Sequence, residues 1–277
     1  MPPASSEIPF SVLMSLYHKE NPGYLHACFN SLLAQTLPAT EIVLVFDGPI
    51  PRPLLAVVEQ WMPRLPIRTV PLPENVGLGP ALAQGLLACR YDLVARMDTD
   101  DLCEPERFRQ QMDFLAQHPE LALCGSAIVE IDPDTEAGLG TRTVPLSAED
   151  IRARLPYRNP FNHMTVILRK DAVLAVGNYH NFPMMEDWYL WARLMYAGHA
   201  GANLPQCLVR ARAGAQMLDR RGGLAYVKSE FLITRYFIAQ GMTPFWKAWP
   251  IFLARSAARL VPTGARRAIY KQLRGRA

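Results

Sequence analysis

Leu93-Val94-Ala95-Arg96-Met97-Asp98-Thr99-Asp100-Asp101 is the stretch that decides the fold. Its mostly apolar first half reads as a short buried strand, and three carboxylates arrive as soon as the strand stops. Acids crowded at a strand end repel one another unless cations share the space, so the run demands a partner. Oxygen-only ligands suit Mg²⁺ or Mn²⁺ bridging a diphosphate, with phosphate and water oxygens completing the shell. An acidic turn favouring the dipole of a following helix would use the same residues.

Upstream, strands and helices alternate. Phe10–Ser15 reads as a strand, a helix opens near Pro22, and Ile42–Phe46 is a second strand stopped by Asp47-Gly48-Pro49. A helical pattern over Pro53–Met62, a strand at Ile67–Val70 and a small-residue helix at Gly79–Cys89 lead into Leu93–Met97. This alternation implies βαβ units in a parallel sheet, whose ligands collect beyond the carboxyl ends of the strands. Ser15–Tyr17, Asp47-Gly48 and Asp98–Asp101 all belong to such ends. Asp47 is placed to bond a base or ribose, or merely to form an Asp-Gly turn. Asn75-Val76-Gly77-Leu78-Gly79 either brings backbone N–H groups to a ligand or caps the helix it precedes.

Downstream the pattern is less regular. A helix over Pro105–His118 leads to the apolar run Leu121–Ile131 and a strand around Thr141–Val144. The turn-rich NPFNHM precedes a β-like Thr165–Leu168, and Glu186–Tyr196 (EDWYLWARLMY) forms a helix that opens on two acids. A carboxylate there is kept ionised by the helix dipole, which suits either a base or an N-cap. After Asn203–Arg212 come a loop ending in Arg220-Arg221-Gly222-Gly223, a helix over Leu224–Gln240 and then one or two basic amphipathic helices.

The 277 residues are 50% hydrophobic and 19% charged, which is globular rather than disordered composition. Neither a signal peptide nor a bilayer-spanning segment is recognisable, and five cysteines without a C-x-x-C pair read as free thiols in a reducing compartment. The net charge of +4 hides an asymmetry: from Phe231 onward there are nine Lys or Arg and no acid. The preceding body carries −5, so the tail is the part suited to an anionic surface. No recognition motif accompanies those charges, and nucleic acid is not an expected partner.

In this order, SVLMSLYHKENPGYL, SLLAQTLPATEIVLVFDGP, ENVGLGPALAQGL, ARMDTDD, RNPFNHMTVILRK, EDWYLW and DRRGGL resemble glycosyltransferase family 2 over about residues 8 to 240. The likeness is to the bacterial exopolysaccharide and lipopolysaccharide branch that includes amylovoran biosynthesis transferases. It implies the GT-A fold: an α/β domain over 1–240 with a Rossmann-like, mostly parallel sheet, its nucleotide-binding half at about 8–104 and its acceptor half at about 105–240. Residues 241–277 would form a basic amphipathic helical tail.

The resemblance also implies roles. Asp98 and Asp100 become the D-x-D pair, Asp100 the likelier ligand of Mn²⁺ or Mg²⁺. Ser15, Tyr17 and Asp47 fall where members contact the nucleoside, Asn75 lies on the donor side, and Asp187 falls on the proposed base. A late histidine often supplies a third metal ligand, yet the last one here is His199, leaving that position to water or donor. Two acids often precede the glycine where this chain has Phe46-Asp47, and Q-x-x-R-W, the mark of processive synthases, is missing.

The expected reaction is an inverting, one-sugar-per-encounter transfer from a nucleotide-diphosphate sugar, UDP-linked foremost, to a glycan or lipid-linked hydroxyl. Arg220 and Arg221 either close over the diphosphate or form a solvated turn. His163, Glu186 and Trp188 are the acceptor candidates: Trp188 as a sugar platform, His163 equally as a structural residue. The tail would hold the protein at the inner face of the cytoplasmic membrane. A non-catalytic sugar-nucleotide-binding or scaffold protein of the same fold is the competing expectation. A nucleotidyltransferase would want a glycine-rich, basic signature near the first strand, which MSLYHKENPG lacks.

Overall fold

A computed structural model describes residues 8–213 and 223–260. Strands β1 (Phe10–Leu16), β2 (Glu41–Phe46), β3 (Ile67–Pro71) and β4 (Leu93–Arg96) are joined by α1 (Pro22–Leu33), α2 (Arg52–Trp61) and α3 (Leu78–Ala88). They pair in parallel in the order β3-β2-β1-β4, as the alternation predicted. Both faces of this half are covered, so the strands are apolar on both sides. Val12, Met14, Ile42 and Leu44 face α1 and α2, where Phe29 and Trp61 are buried; Leu13, Val43 and Val45 face α3. Complete burial of each such side chain contributes about 1.5–3 kcal/mol. Gly85 lets α3 approach this closely, because a Cβ there would meet the side chains of Leu13 and, at 2.6 Å, Val45.

The second half extends the same sheet with mixed pairing. After β5 (Leu102–Cys103) and α4 (Arg107–Gln117) come β6 (Leu121–Ile131) and β7 (Gly138–Arg142), then α5 (Ala148–Arg154), β8 (Ile167–Arg169) and α6 (Lys170–Ala175). The aromatic helix α7 (Glu186–Tyr196) and the long strand β9 (Ala200–Arg212) follow. β8 lies antiparallel between β4 and β6, β6 runs parallel to β9, and β5 closes the far edge antiparallel to β9.

Two helices finish the described chain, α8 (Leu224–Ala239) and α9 (Phe245–Leu260). They are clasped by Phe231, whose ring centroid lies 5.8 Å from Trp249 and 5.9 Å from Phe252. Glu230, almost wholly buried, faces Arg255 at 2.5 Å and Arg259 at 3.9 Å. Tyr157 Oη and Thr243 Oγ1 meet at 2.9 Å, and Phe237 packs 5.7 Å from Trp188, so the pair is seated on the domain. The basic face expected to meet lipid is therefore corrected in part: Arg255 and Arg259 turn inward, drawn by a carboxylate that would otherwise be buried unpaired. Phe245, Trp246 and Leu253 remain about 60% exposed on the outer side of α9. No described helix is long and apolar enough to cross a membrane.

Candidate active site

From β1 the chain proceeds to β2 and β3 on one side, while β4 lies on the other. The strand order reverses between β1 and β4, and open α/β sheets bind ligands in the crevice beyond the strand ends at such a point. Ser15 is the penultimate residue of β1, Tyr17 lies just beyond it, Asp47 directly after β2 and Asp98 close behind β4. The two loops flanking the crevice are tied together, since Thr99 Oγ1 donates to Glu20 Oε2 at 3.0 Å.

Asp47, directly after β2, is bonded to the loop that precedes α3. Its Oδ1 accepts the Val76 N–H at 2.7 Å; its Oδ2 accepts the Gly77 N–H at 3.2 Å and the Asn75 amide at 3.0 Å. Gly48, with φ +85°, passes so close that a Cβ would stand 2.7 Å from the Asn75 nitrogen. The carboxylate is 4% exposed. Asp47 holds the 75–77 loop, and its oxygens are largely occupied by that loop.

The acidic turn after β4 gathers Asp98, Asp100 and Asp101, each with a carboxylate oxygen within 4.8 Å of the others'. Arg96, buried beneath them, pairs with Asp98. Burial opposes the Arg96 charge, but Asp98 outweighs it and keeps the guanidinium more basic than usual. Burial, then Asp98 and Glu20, push the Asp100 carboxyl up to about 7. Asp101 is also raised, by burial and by both neighbours, while its Oδ1 accepts the Arg212 N–H at 2.9 Å. Three oxygen donors destabilised by their own repulsion are what a hard divalent cation relieves, so the set fits Mg²⁺ or Mn²⁺. Asp101, the last acid of the run, was missed as a candidate third ligand; its adjacency to Asp100 was the available signal.

The N-terminus of α7 reaches the same cavity. Asp187 Oδ2 accepts from Asn159 Nδ2 at 2.6 Å, and its Oδ1 from its neighbour's backbone N–H, at 2.6 Å. Asp98, Asp100, Asp101 and Asp187 line one cavity of about 480 Å³. Glu186 does not line this cavity; its Cβ lies beside Gly79 in α3, and burial with the adjacent Asp187 raises its carboxyl to about 7. His163 lines the cavity, but its Nε2 lies 3.0 Å from Tyr179 Oη, and burial with the Arg96 charge holds it well below its usual pKa. It is a neutral, hydrogen-bonded wall residue.

Trp188 requires a correction. The ring is 4% exposed, its Nε1 donates to Leu155 O at 2.8 Å, and the Arg255 guanidinium lies 5.0 Å over it. The aromatic face expected to platform a sugar is already covered. Trp191, three residues on, is core at 0% exposure. Arg220 and Arg221 lie outside the described residues. The cavity also brings in Asn159 and the arginines Arg142, Arg154, Arg158, Arg212, Arg255 and Arg259, which sequence reading did not select.

The geometry can be set beside known proteins. The chain is 46% identical to the amylovoran biosynthesis glycosyltransferase AmsE of Erwinia amylovora, over 95% of this chain and 98% of that relative. It is 32% identical to the Escherichia coli UDP-Gal:alpha-D-GlcNAc-diphosphoundecaprenol beta-1,3-galactosyltransferase, over 95% and 96% of the two chains. The crystal structure of Staphylococcus aureus TarS 1–349 with UDP-GlcNAc superposes with a TM-score of 0.65 at 20% identity, covering 83% of this chain and 67% of that one. That likeness shows the fold, which is GT-A. The family model described as glycosyl transferase family 2 matches residues 11–195, a span running from β1 through the acidic turn to α7. A cavity lined by clustered acids and by Asp187 thus belongs here to an enzyme, and the chain is a member of glycosyltransferase family 2.

Proposed function

We propose that the protein transfers a single sugar from a UDP-sugar to a hydroxyl of a glycan or lipid-linked acceptor, with inversion, in assembly of a bacterial surface polysaccharide. The observation that carries this reading is that Asp187 lines the same cavity as Asp98, Asp100 and Asp101. Asp98 and Asp100, with Asp101 beside them, would hold a divalent cation, which when bound would supply counter-charge for the leaving nucleoside diphosphate. Tyr17, Ser15 and the loop shaped by Asp47 and Asn75 receive the nucleoside. Asn159 holds Asp187 so that its carboxylate takes the acceptor proton as the hydroxyl attacks the anomeric carbon from the face opposite the leaving group. The relatives' printed roles support the donor and acceptor classes: one uses UDP-Gal and a diphosphoundecaprenol-linked sugar, another serves amylovoran biosynthesis.

In this reading residues 1–240 are the catalytic domain and 241–277 an attachment element at the inner face of the cytoplasmic membrane. Phe245, Trp246 and Leu253 enter the interface while Lys247 and the basic residues beyond 260 meet anionic headgroups. Asp187→Asn keeps the shape and removes the proton acceptor, and turnover falls by about a hundredfold or more while donor affinity changes little. Steady-state kinetics of UDP release check this; wild-type turnover in the variant contradicts the assignment.

A further inference from the structure

Two sets of opposite charge line the cavity. One is the acids described above. The other includes Arg154 at the end of α5, Arg158 four residues on, and Arg255 and Arg259 of α9, with Arg158 near enough to Arg154 and Arg255 to act on both. Glu230 is the acid that faces Arg255 and Arg259, so the four guanidiniums outnumber their counter-ion. Among the described residues, no ion pair or hydrogen bond engages the side chains of Arg154 and Arg158. Burial, and then the like charge of Arg158, lower the pKa of Arg154. Uncompensated guanidiniums converging on a cavity recognise phosphate oxygens.

We propose that Arg154, Arg158, Arg255 and Arg259 form a second anion subsite, separate from the donor's, which binds the phosphate or diphosphate through which the acceptor sugar is joined to its carrier. The placement relative to Asp187 carries the assignment. Arg158 adjoins Asn159, whose amide holds the Asp187 carboxylate, and Arg255 lies over Trp188, the residue after Asp187. A phosphate bound by the arginines leaves the attached sugar's hydroxyls toward Asp187. The donor diphosphate has its own counter-charge at the acidic turn, and a second anion in the cavity needs this one. α9 serves both ends of such an acceptor: its inner side supplies Arg255 and Arg259, while its outer side exposes Phe245, Trp246 and Leu253, where a lipid carrier would lie.

The inference rests on the acceptor reading above, so its test measures binding rather than turnover. Calorimetry with inorganic pyrophosphate and with dodecyl diphosphate, in EDTA, compares wild type with Arg154→Gln, Arg158→Gln and the double variant. UDP binding with Mn²⁺ is measured on the same samples. Arg158 is exposed and Arg154 half-buried, and an unchanged circular dichroism melt confirms folding. Each single change is expected to weaken both diphosphates by about tenfold, and the double change by about a hundredfold, with UDP affinity unmoved. Tighter binding of dodecyl diphosphate than of pyrophosphate assigns a lipid carrier, and equal binding assigns a soluble phosphate ester. Diphosphate affinity unaltered by the variants, no diphosphate binding by the wild type, or weakening of UDP instead, overturns the subsite. Loss of metal-dependent UDP binding in wild type would count against the donor reading alone.

Discussion

Replacing Asn159 by alanine isolates the positioning of the base from its chemistry. The Asn159 amide donates to Asp187 Oδ2 at 2.6 Å, a short bond to a charged acceptor. Such bonds contribute about 1.5–3 kcal/mol, and at about 1.4 kcal/mol per decade the loss corresponds to roughly tenfold to hundredfold in rate. Asn159 Oδ1 also accepts the Phe161 N–H at 3.2 Å, so the alanine variant loosens the turn as well. Asn159→Asp separates these effects: it retains an acceptor for Phe161 but sets a second negative charge against Asp187. Removing the donor makes the Asp187 carboxylate easier to protonate, and the added charge does so further. The acidic limb of the rate profile should therefore move to higher pH in both variants, more in the aspartate one. Initial rates of UDP release across about pH 5 to 9, with donor KM measured at each pH, read this directly. A kcat within about twofold of wild type, on an unmoved pH profile, would refute the positioning role.

Two further outcomes follow from burial and exposure. Glu186 has its carboxyl raised to about 7 from an ordinary 4.5, so its contribution to stability is complete below that ordinary value and is lost as pH rises through 7. Glu186→Gln removes up to about 3 kcal/mol of this loss, and the metal-free variant should melt above wild type at pH 8 and close to it at pH 4; equal melting at pH 8 contradicts the assignment. On α9, Trp246→Glu with Leu253→Glu should abolish co-sedimentation with vesicles containing phosphatidylglycerol while leaving the melt unchanged, since both side chains are exposed. Undiminished sedimentation, or none by the unaltered protein, removes the membrane role of this helix.

The part of the molecule most legible in the sequence is the part buried on both faces. β1, β2 and β4 read as largely apolar runs because helices cover both sides, and acids stand just past the carboxyl ends of β2 and β4. α5 escaped notice because AEDIRAR is polar and buries Ile151 alone. Its start was nonetheless marked, with Ser147 accepting the Asp150 N–H three residues on. Misreading Trp188 has a related cause: seven of the eleven residues of α7 are buried, so the amphipathic pattern could not say which aromatic faced the cavity. The arginine set was beyond periodicity altogether. Arg154 and Arg158 stand nearly a hundred residues from Arg255 and Arg259, and only the seating of α8 and α9 on the domain brings them together. Likewise Asp47 and Asn75 each read as donor-side residues, but their bond to one another is a consequence of the tertiary fold.

The central claim is tested most directly by the stereochemistry and metal dependence of one turnover. Purified protein is incubated with each of a panel of α-linked UDP-sugars and a sugar acceptor joined to an alkyl diphosphate, with Mn²⁺ or with EDTA. The anomeric proton of the product is then read by NMR. The account predicts a single β-linked product from one donor, none in EDTA or from Asp100→Ala, and recovery when Mn²⁺ is restored to the wild type. An α-linked product, or undiminished transfer in EDTA, would contradict it.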